Sequence, residues 1–199
     1  MTTLTPQGTL REVARRIAER PPLLGRTRLV SIDGPAGSGK STLAGDVVAR
    51  LTSAGLTCHV LHLDEALDGW AGLDVGGGQL LTTVLVPLSE GRPGSYRRYD
   101  WHAKAWAEDV VVPVTDVLVV EGCGSAPRAA AEWSSLVVWV ETDAERRLDR
   151  GLARDGEAMR EEWLLWMERE EEVFRRERAR DRAELHLDGS GTIVRDARG

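Results

Sequence analysis

"SIDGPAGSGKST" occupies residues 31–42, and its reading decides the fold. It contains G-x-x-x-x-G-K-S, running from Gly34 to Ser41. Gly34, Gly37 and Gly39, with Pro35, Ala36 and Ser38 between them, let the backbone curl until several N–H groups aim at one anion. A helix beginning at the loop adds its positive end to that grip. Lys40 is long enough to reach β and γ phosphates, and the Ser41 hydroxyl can ligate magnesium, with Thr42 next in the first helical turn. The flanks agree. "TRLVSIDG" reads as a buried strand and "KSTLAGDVVARLTSAG" as a helix that Gly55 ends. Asp33, immediately before the loop, reads as structural.

Outward from the loop, the chain alternates strands with helices. "LTCHVLHLD" predicts a second strand finishing at Asp64, and "DVLVVEG" and "LVVWVET" predict two more. "GTLREVARRIAER" places Leu10, Val13, Ala14 and Ile17 at helical spacing, so a helix over about 8–20 precedes the core. "DGWAGLDVGGGQ" is too glycine-rich for a regular element and reads as a mobile loop, before a helix in "QLLTTVLVPLSEG". "SYRRYDW" suggests a short strand, and "AELHLDG" with "GTIVRD" a final pair of edge strands. From Asp143 to about Arg180 the pattern is charged and helical, broken near Gly156. No repeat or linker divides residues 1–199, so one α/β domain is expected: a three-layer P-loop NTPase fold with a mostly parallel central sheet flanked by helices. Ligand then belongs beyond the carboxyl ends of the strands.

A phosphate grip needs acidic partners for its metal. Asp64 closes "VLHLD" and Glu121 closes "VLVVEG", both at expected strand ends, so Ser41, Asp64 and Glu121 are the candidate magnesium ligands. Arg147, Arg150 and Arg154 stand at i, i+3 and i+7, so one helix face can bring all three to phosphate oxygens. Trp163 and Trp166 read as packing, and His59, His62 and His186 carry no assigned role. "EREEEVFRRERARDR" reads as a solvated face with Val173 and Phe174 inward.

Several classes are excluded. A GTPase reads guanine with N-K-x-D, and this chain contains no Asn. "GGGQ" at 76–79 only echoes an ABC-type signature and lies too near the loop for that architecture. The net charge of −6 argues against a general nucleic-acid binder. No apolar run approaches the roughly 20 residues of a membrane span, and the start lacks a signal-peptide core, so a cytoplasmic protein is expected. Cys58 and Cys123 have no metal-like spacing and read as buried thiols.

Taken in order, "GPAGSGKST", "HLDEAL", "EGRPGSYRRYDW", "VVEG" and "RRLDRGLARD" resemble the uridine kinase branch of P-loop phosphotransferases, related to phosphoribulokinase, over about residues 28–190. The resemblance implies an arginine-rich helical lid over about 143–160, carrying Arg147, Arg150 and Arg154 to the phosphates of ATP. It implies that Lys40 holds phosphate, Ser41 and Glu121 serve Mg2+, and Asp64 is the general base beside the acceptor hydroxyl. Tyr99 would shape the acceptor pocket. The departures all fall on that acceptor side. "EALDGW" lacks the Tyr or Phe of the family's turn, leaving Trp70 to take that place. His102 is displaced relative to the family's histidine, and Asp74 is the nearest substitute for its sugar-binding acid. The expected partners are ATP and a small hydroxylated acceptor, a nucleoside such as uridine first. Self-association is left open. A regulatory nucleotide-binding protein without acceptor chemistry is the competing expectation.

Overall fold

Buried on both faces, the stretch Val117–Glu121 sets the layering. Val117 and Val119 enter one core, while Leu118 and Val120 enter another on the opposite side. That is the period-2 alternation of a central parallel strand. Arg28–Asp33 behaves alike, sending Val30 and Ile32 to the first core and Leu29 to the second.

The structure is a computed structural model that describes residues 6–197. Its strands are β1 (Arg28–Asp33), β2 (Cys58–His62), β3 (Gly94–Asp100), β4 (Ala105–Val112), β5 (Val117–Glu121), β6 (Ser134–Glu141), β7 (Leu185–Asp188) and β8 (Ile193–Asp196). Its α-helices are α1 (Pro6–Glu19), α2 (Lys40–Ser53), α3 (Leu73–Leu80), α4 (Val86–Ser89), α5 (Ala144–Asp155), α6 (Arg160–Glu177) and α7 (Ala179–Arg182). The main sheet runs β2-β5-β1-β6-β7-β8, with only β8 antiparallel to its neighbour. Helices α1 and α2 cover one face, and α3, α6 and α7 cover the other. β3 and β4 form a separate antiparallel hairpin. This is the mostly parallel, helix-flanked α/β architecture. No helix among the described residues is long and apolar enough to cross a membrane.

Four local expectations need correction. The segment 68–79 is not a loop: a 3-10 turn at Gly69–Ala71 leads into α3. Gly76 and Gly77 allow close packing, since a Cβ at Gly76 would lie 2.2 Å from Leu67 Cδ2 and one at Gly77 3.3 Å from Pro127 Cβ. Buried Leu73 and Leu80 drive the helix despite poor propensity. β2 stops at His62, and Asp64 falls in the 3-10 turn Leu63–Ala66. β7 is interior, between β6 and β8, so of this final pair β8 alone is an edge. β4 was not anticipated because it is largely exposed and carries Glu108 and Asp109.

Helix α1 is fastened to the far strands. Arg16 pairs with Asp196 and Arg20 with Glu184. Glu12, hydrogen-bonded by Arg15 and Arg16, has its carboxyl lowered to about 2. The helical run from α3 passes through a π turn at Leu81–Leu85 into α4. The hairpin docks onto that π turn through Gly94. A Cβ there would stand 2.6 Å from Val84 Cα and 2.9 Å from Val84 O, both backbone. Gly94→Ala is therefore expected to lower stability by about 1–3 kcal/mol, read as a lower urea midpoint with an unchanged slope.

Candidate active site

The phosphate loop is held from below by Asp33. This carboxylate has no exposed surface and accepts from the N–H groups of Gly34 (2.7 Å), Gly124 (2.9 Å) and Ala126 (3.0 Å). Burial pushes its pKa up, and the three amides oppose that shift. The loop's handedness comes from glycine, with φ of +139° at Gly34, +77° at Gly37 and +102° at Gly39. At Gly34 no side chain fits, because a Cβ would lie 2.1 Å from Val140 O. Lys40, 6% exposed, folds back so that Nζ donates to Pro35 O at 2.8 Å.

The acidic partners converge beside the loop. Val117, Val119 and Glu121 share one face of β5, and α2 begins on that face. Glu121 is 3% exposed, and its Oε1 accepts from Ser41 Oγ at 3.0 Å. The same oxygen lies 2.6 Å from His62 Nδ1. His62 is directly across from Glu121 in the parallel register, and the carboxylate raises its pKa. This histidine had been given no role. The signal was available, since Cys58, Val60 and His62 alternate onto the face that carries Glu121. Asp64 is exposed in the turn just beyond β2, with neighbouring protein crowding its carboxylate. Its surroundings, and then the Glu121 charge, push its carboxyl up, with Lys40 pulling the other way.

These oxygens suit magnesium. Among the described residues no group of three or more His, Cys, Asp or Glu side chains could hold a metal by itself. Magnesium does not need such a cage, being held by one or two carboxylates with water and substrate phosphates. A Ser41 hydroxyl and a buried Glu121 carboxylate, partnered among the described residues by that hydroxyl and an imidazole, are hard oxygen donors of the right kind.

The three arginines separate into two kinds. Arg150 Nη1 donates to Gly37 O at 3.1 Å, and Arg154 stands over the Trp163 ring at 5.7 Å while pairing with Asp155. Both border a cavity of about 620 Å³ that also meets Gly37 to Leu43 of the loop. Arg147 is 9% exposed and directed to the loop's own support. Its Nη1 donates to Glu170 Oε1 at 2.6 Å and to Ala36 O at 3.3 Å, while Glu170 Oε2 accepts from Ala36 N at 2.8 Å. Cys123, also buried, donates to Glu170 at 3.4 Å, and its burial pushes the thiol up. A larger cleft of about 1000 Å³ borders the Arg147–Glu170 pair, but Lys40, Ser41, Asp64 and Glu121 do not line it.

On the acceptor side the dominant feature is aromatic. Trp70 meets Trp101, Trp163 and Trp166 edge-on at centroid distances of 5.4, 6.2 and 5.5 Å. Tyr99 meets Trp101 and Trp106 in the same manner. Trp101 Nε1 donates to the Asp64 carbonyl at 3.1 Å, so this cluster abuts the turn bearing the carboxylate. Asp74 is engaged by Arg176 at 3.3 Å, and His102 is exposed in the hairpin turn.

Compared with solved structures, the chain overlays a possible uridine kinase from Bacillus stearothermophilus with a TM-score of 0.68 at 16% identity, covering 92% of this chain and 98% of that one. A D-glycerate 3-kinase from Cryptococcus neoformans gives 0.59 at 13%, covering 94% and 97%. A candidate fructose transport system kinase from Silicibacter gives 0.57 at 21%, covering 80% and 88%. No family model matches the chain, and no curated protein sequence matches it. At these identities the likeness establishes the fold, that of the P-loop kinases, as the uridine kinase-like resemblance implied.

Removing Glu170 would strand a buried guanidinium and the Ala36 N–H. Glu170→Ala is expected to destabilise the fold by about 3–5 kcal/mol, measured by chemical denaturation. Glu170→Gln, which fills the same volume and keeps one of the two acceptor oxygens, should lose less.

Proposed function

We propose that this chain is a magnesium-dependent kinase that transfers the γ-phosphoryl group of ATP to a hydroxyl of a small molecule, a nucleoside such as uridine being favoured. The observation that carries the reading is the convergence of Lys40, Ser41, Glu121 and Asp64 at the carboxyl ends of β1, β2 and β5. The kinase names of the structural neighbours support it.

In this reading the loop amides and Lys40 hold the β and γ phosphates, and Arg150 and Arg154 approach from α5. Ser41 and Glu121, with Asp64 near, would hold magnesium, which would supply neutralisation of phosphate charge. The Asp64 carboxylate accepts the proton of the acceptor hydroxyl as that oxygen bonds to the γ phosphorus. The bond from phosphorus to the β–γ bridging oxygen breaks, and ADP leaves with the electron pair. A raised carboxyl pKa suits a general base, and positioning with electrostatics supplies the rest of the rate. The acceptor packs near Trp70, Trp101 and Tyr99, with His102 at the rim and Asp74 a weaker candidate.

An ADP-release screen across nucleosides, sugars and small alcohols tests the reading. Turnover that depends on one acceptor is the expected result. Nucleotide binding without turnover on any acceptor would favour the regulatory protein instead.

Two variants divide the labour within the site. Asp64→Asn keeps the shape and removes the base, so kcat should fall by about 10² to 10⁴ while Mg-ATP affinity changes much less. A loss concentrated in Mg-ATP affinity and rescued by added magnesium would make Asp64 a metal ligand first. Arg154→Ala should lower kcat far more than it weakens ATP, because its guanidinium acts on charge that develops during transfer. A loss wholly in ATP affinity would mark a ground-state contact.

A further inference from the structure

The donor cavity has a wall that lies outside the phosphate-loop signature. Besides Gly37 to Leu43 and Arg150, the space of about 620 Å³ is bordered by the turn Gly189–Gly191 after β7 and by the first turn of α1. From α1 come Pro6, Gln7, Thr9 and Leu10. The turn and the helix start meet, since a Cβ at Gly191 would stand 3.9 Å from Pro6 Cβ. This wall is fixed in place. Val13, Ala14 and Ile17 are buried in the core shared with α2, and Arg16 and Arg20 pair with Asp196 and Glu184.

Unused polar groups point to a ligand here. Thr9 and Ser38 both border the cavity, each is 1% exposed, and among the described residues neither hydroxyl has a hydrogen-bond partner. A buried hydroxyl left unpaired lowers stability, and two such groups lie along this one cavity. Gln7 is exposed at the same border, and its amide offers both a donor and an acceptor. Phosphates account for the loop amides and Lys40. They do not account for a side walled by Leu10, Val140, Leu187 and a glycine turn.

We propose that the first turn of α1 is the specificity wall for the nucleobase of the donor, a purine nucleoside triphosphate. The base packs against Leu10 and the Gly189–Gly191 turn, the Gln7 amide meets its polar edge, and Thr9 supplies a hydroxyl beside it. This rests on the donor reading given under Proposed function and adds to it a determinant of base choice about 30 residues ahead of the loop.

Calorimetric titration of the full chain with Mg-ATP and with inorganic magnesium tripolyphosphate tests the proposal. Tripolyphosphate carries the same charged chain and no base. Gln7→Ala should weaken ATP by about 3–10-fold, the worth of one hydrogen bond. Gln7→Trp, which fills the base end from an exposed position, should weaken it by more than about tenfold, with tripolyphosphate binding both variants as it binds the parent. Thermal melts of the two variants should match the parent. Unchanged ATP binding by Gln7→Trp overturns the wall, and so do equal losses for both ligands. If the parent binds ATP no better than tripolyphosphate, the wall fails while the phosphate grip stands. If the parent binds neither, the donor reading falls and the wall falls with it.

Discussion

A single carboxylate without exposed surface organises the site. Asp33 sits at the end of β1 and takes backbone N–H groups from both the phosphate loop and the turn that follows Glu121. The loop and the strand end bearing Glu121 are thereby one unit, positioned by the same acceptor. An acid in this place is costly to bury, and its three amides are what make the burial tolerable. Any movement of the loop away from Glu121 would break at least one of those bonds. The spacing between Ser41 and Glu121, 3.0 Å between oxygens, is a consequence of this tie.

Arg147 and Glu170 brace the same loop from its other flank. The pair connects α5 and α6 to both polar groups of Ala36, so these two helices also hold the phosphate loop. The lid helix in turn leans on tryptophan. Gly151 admits the Trp163 ring so closely that a Cβ there would lie 2.3 Å from it. Trp163 touches Trp70, and Arg169 of α6 donates to the Trp70 carbonyl at 2.8 Å. Helix α5 and the turn that follows Asp64 therefore share one aromatic joint. A shift of α5 has to be accommodated by Trp70, which packs on Trp101 in the hairpin.

Much of this was readable from the chain because the donor machinery is local. One strand, one loop and one helix turn are contiguous from Arg28 to Leu43, and glycine spacing with a Lys-Ser pair marks them. The two carboxylates were visible as acids ending apolar runs. Less legible was whatever depends on two distant segments meeting. Glu170 stood in a run of charges that reads as a solvated face. It is nevertheless 2% exposed, because it continues the buried stripe of Trp163, Trp166, Val173 and Phe174. Arg147 shared the helical spacing of Arg150 and Arg154, and nothing in that spacing announces a buried partner 23 residues on. α3 was concealed by glycines whose purpose is contact with Leu67 and Pro127, a tertiary reason that propensity does not contain.

The same distinction explains why the two halves of the site differ in how they can be read. In the proposed reading the donor side would bind phosphate mainly through backbone N–H groups, whose direction is set by φ at Gly34, Gly37 and Gly39. Backbone recognition leaves a compact signature of glycines, because only certain angles work. The acceptor side is assembled from side chains on the Asp64 turn, the β3–β4 hairpin and α6, three segments with no fixed spacing between them. Aromatic rings can fill such a pocket in many arrangements and still pack edge to edge. Trp70 follows this logic. It lies six residues beyond Asp64, in a turn that lacks the Tyr or Phe of the resembling family, and it reaches the cluster through the 3-10 turn at Gly69–Ala71. Gly69 has φ of +54° and lies against the Tyr99 hydroxyl, 3.0 Å from where its Cβ would be. That close approach brings the turn up to the hairpin, so the backbone at Gly69 places the tryptophan.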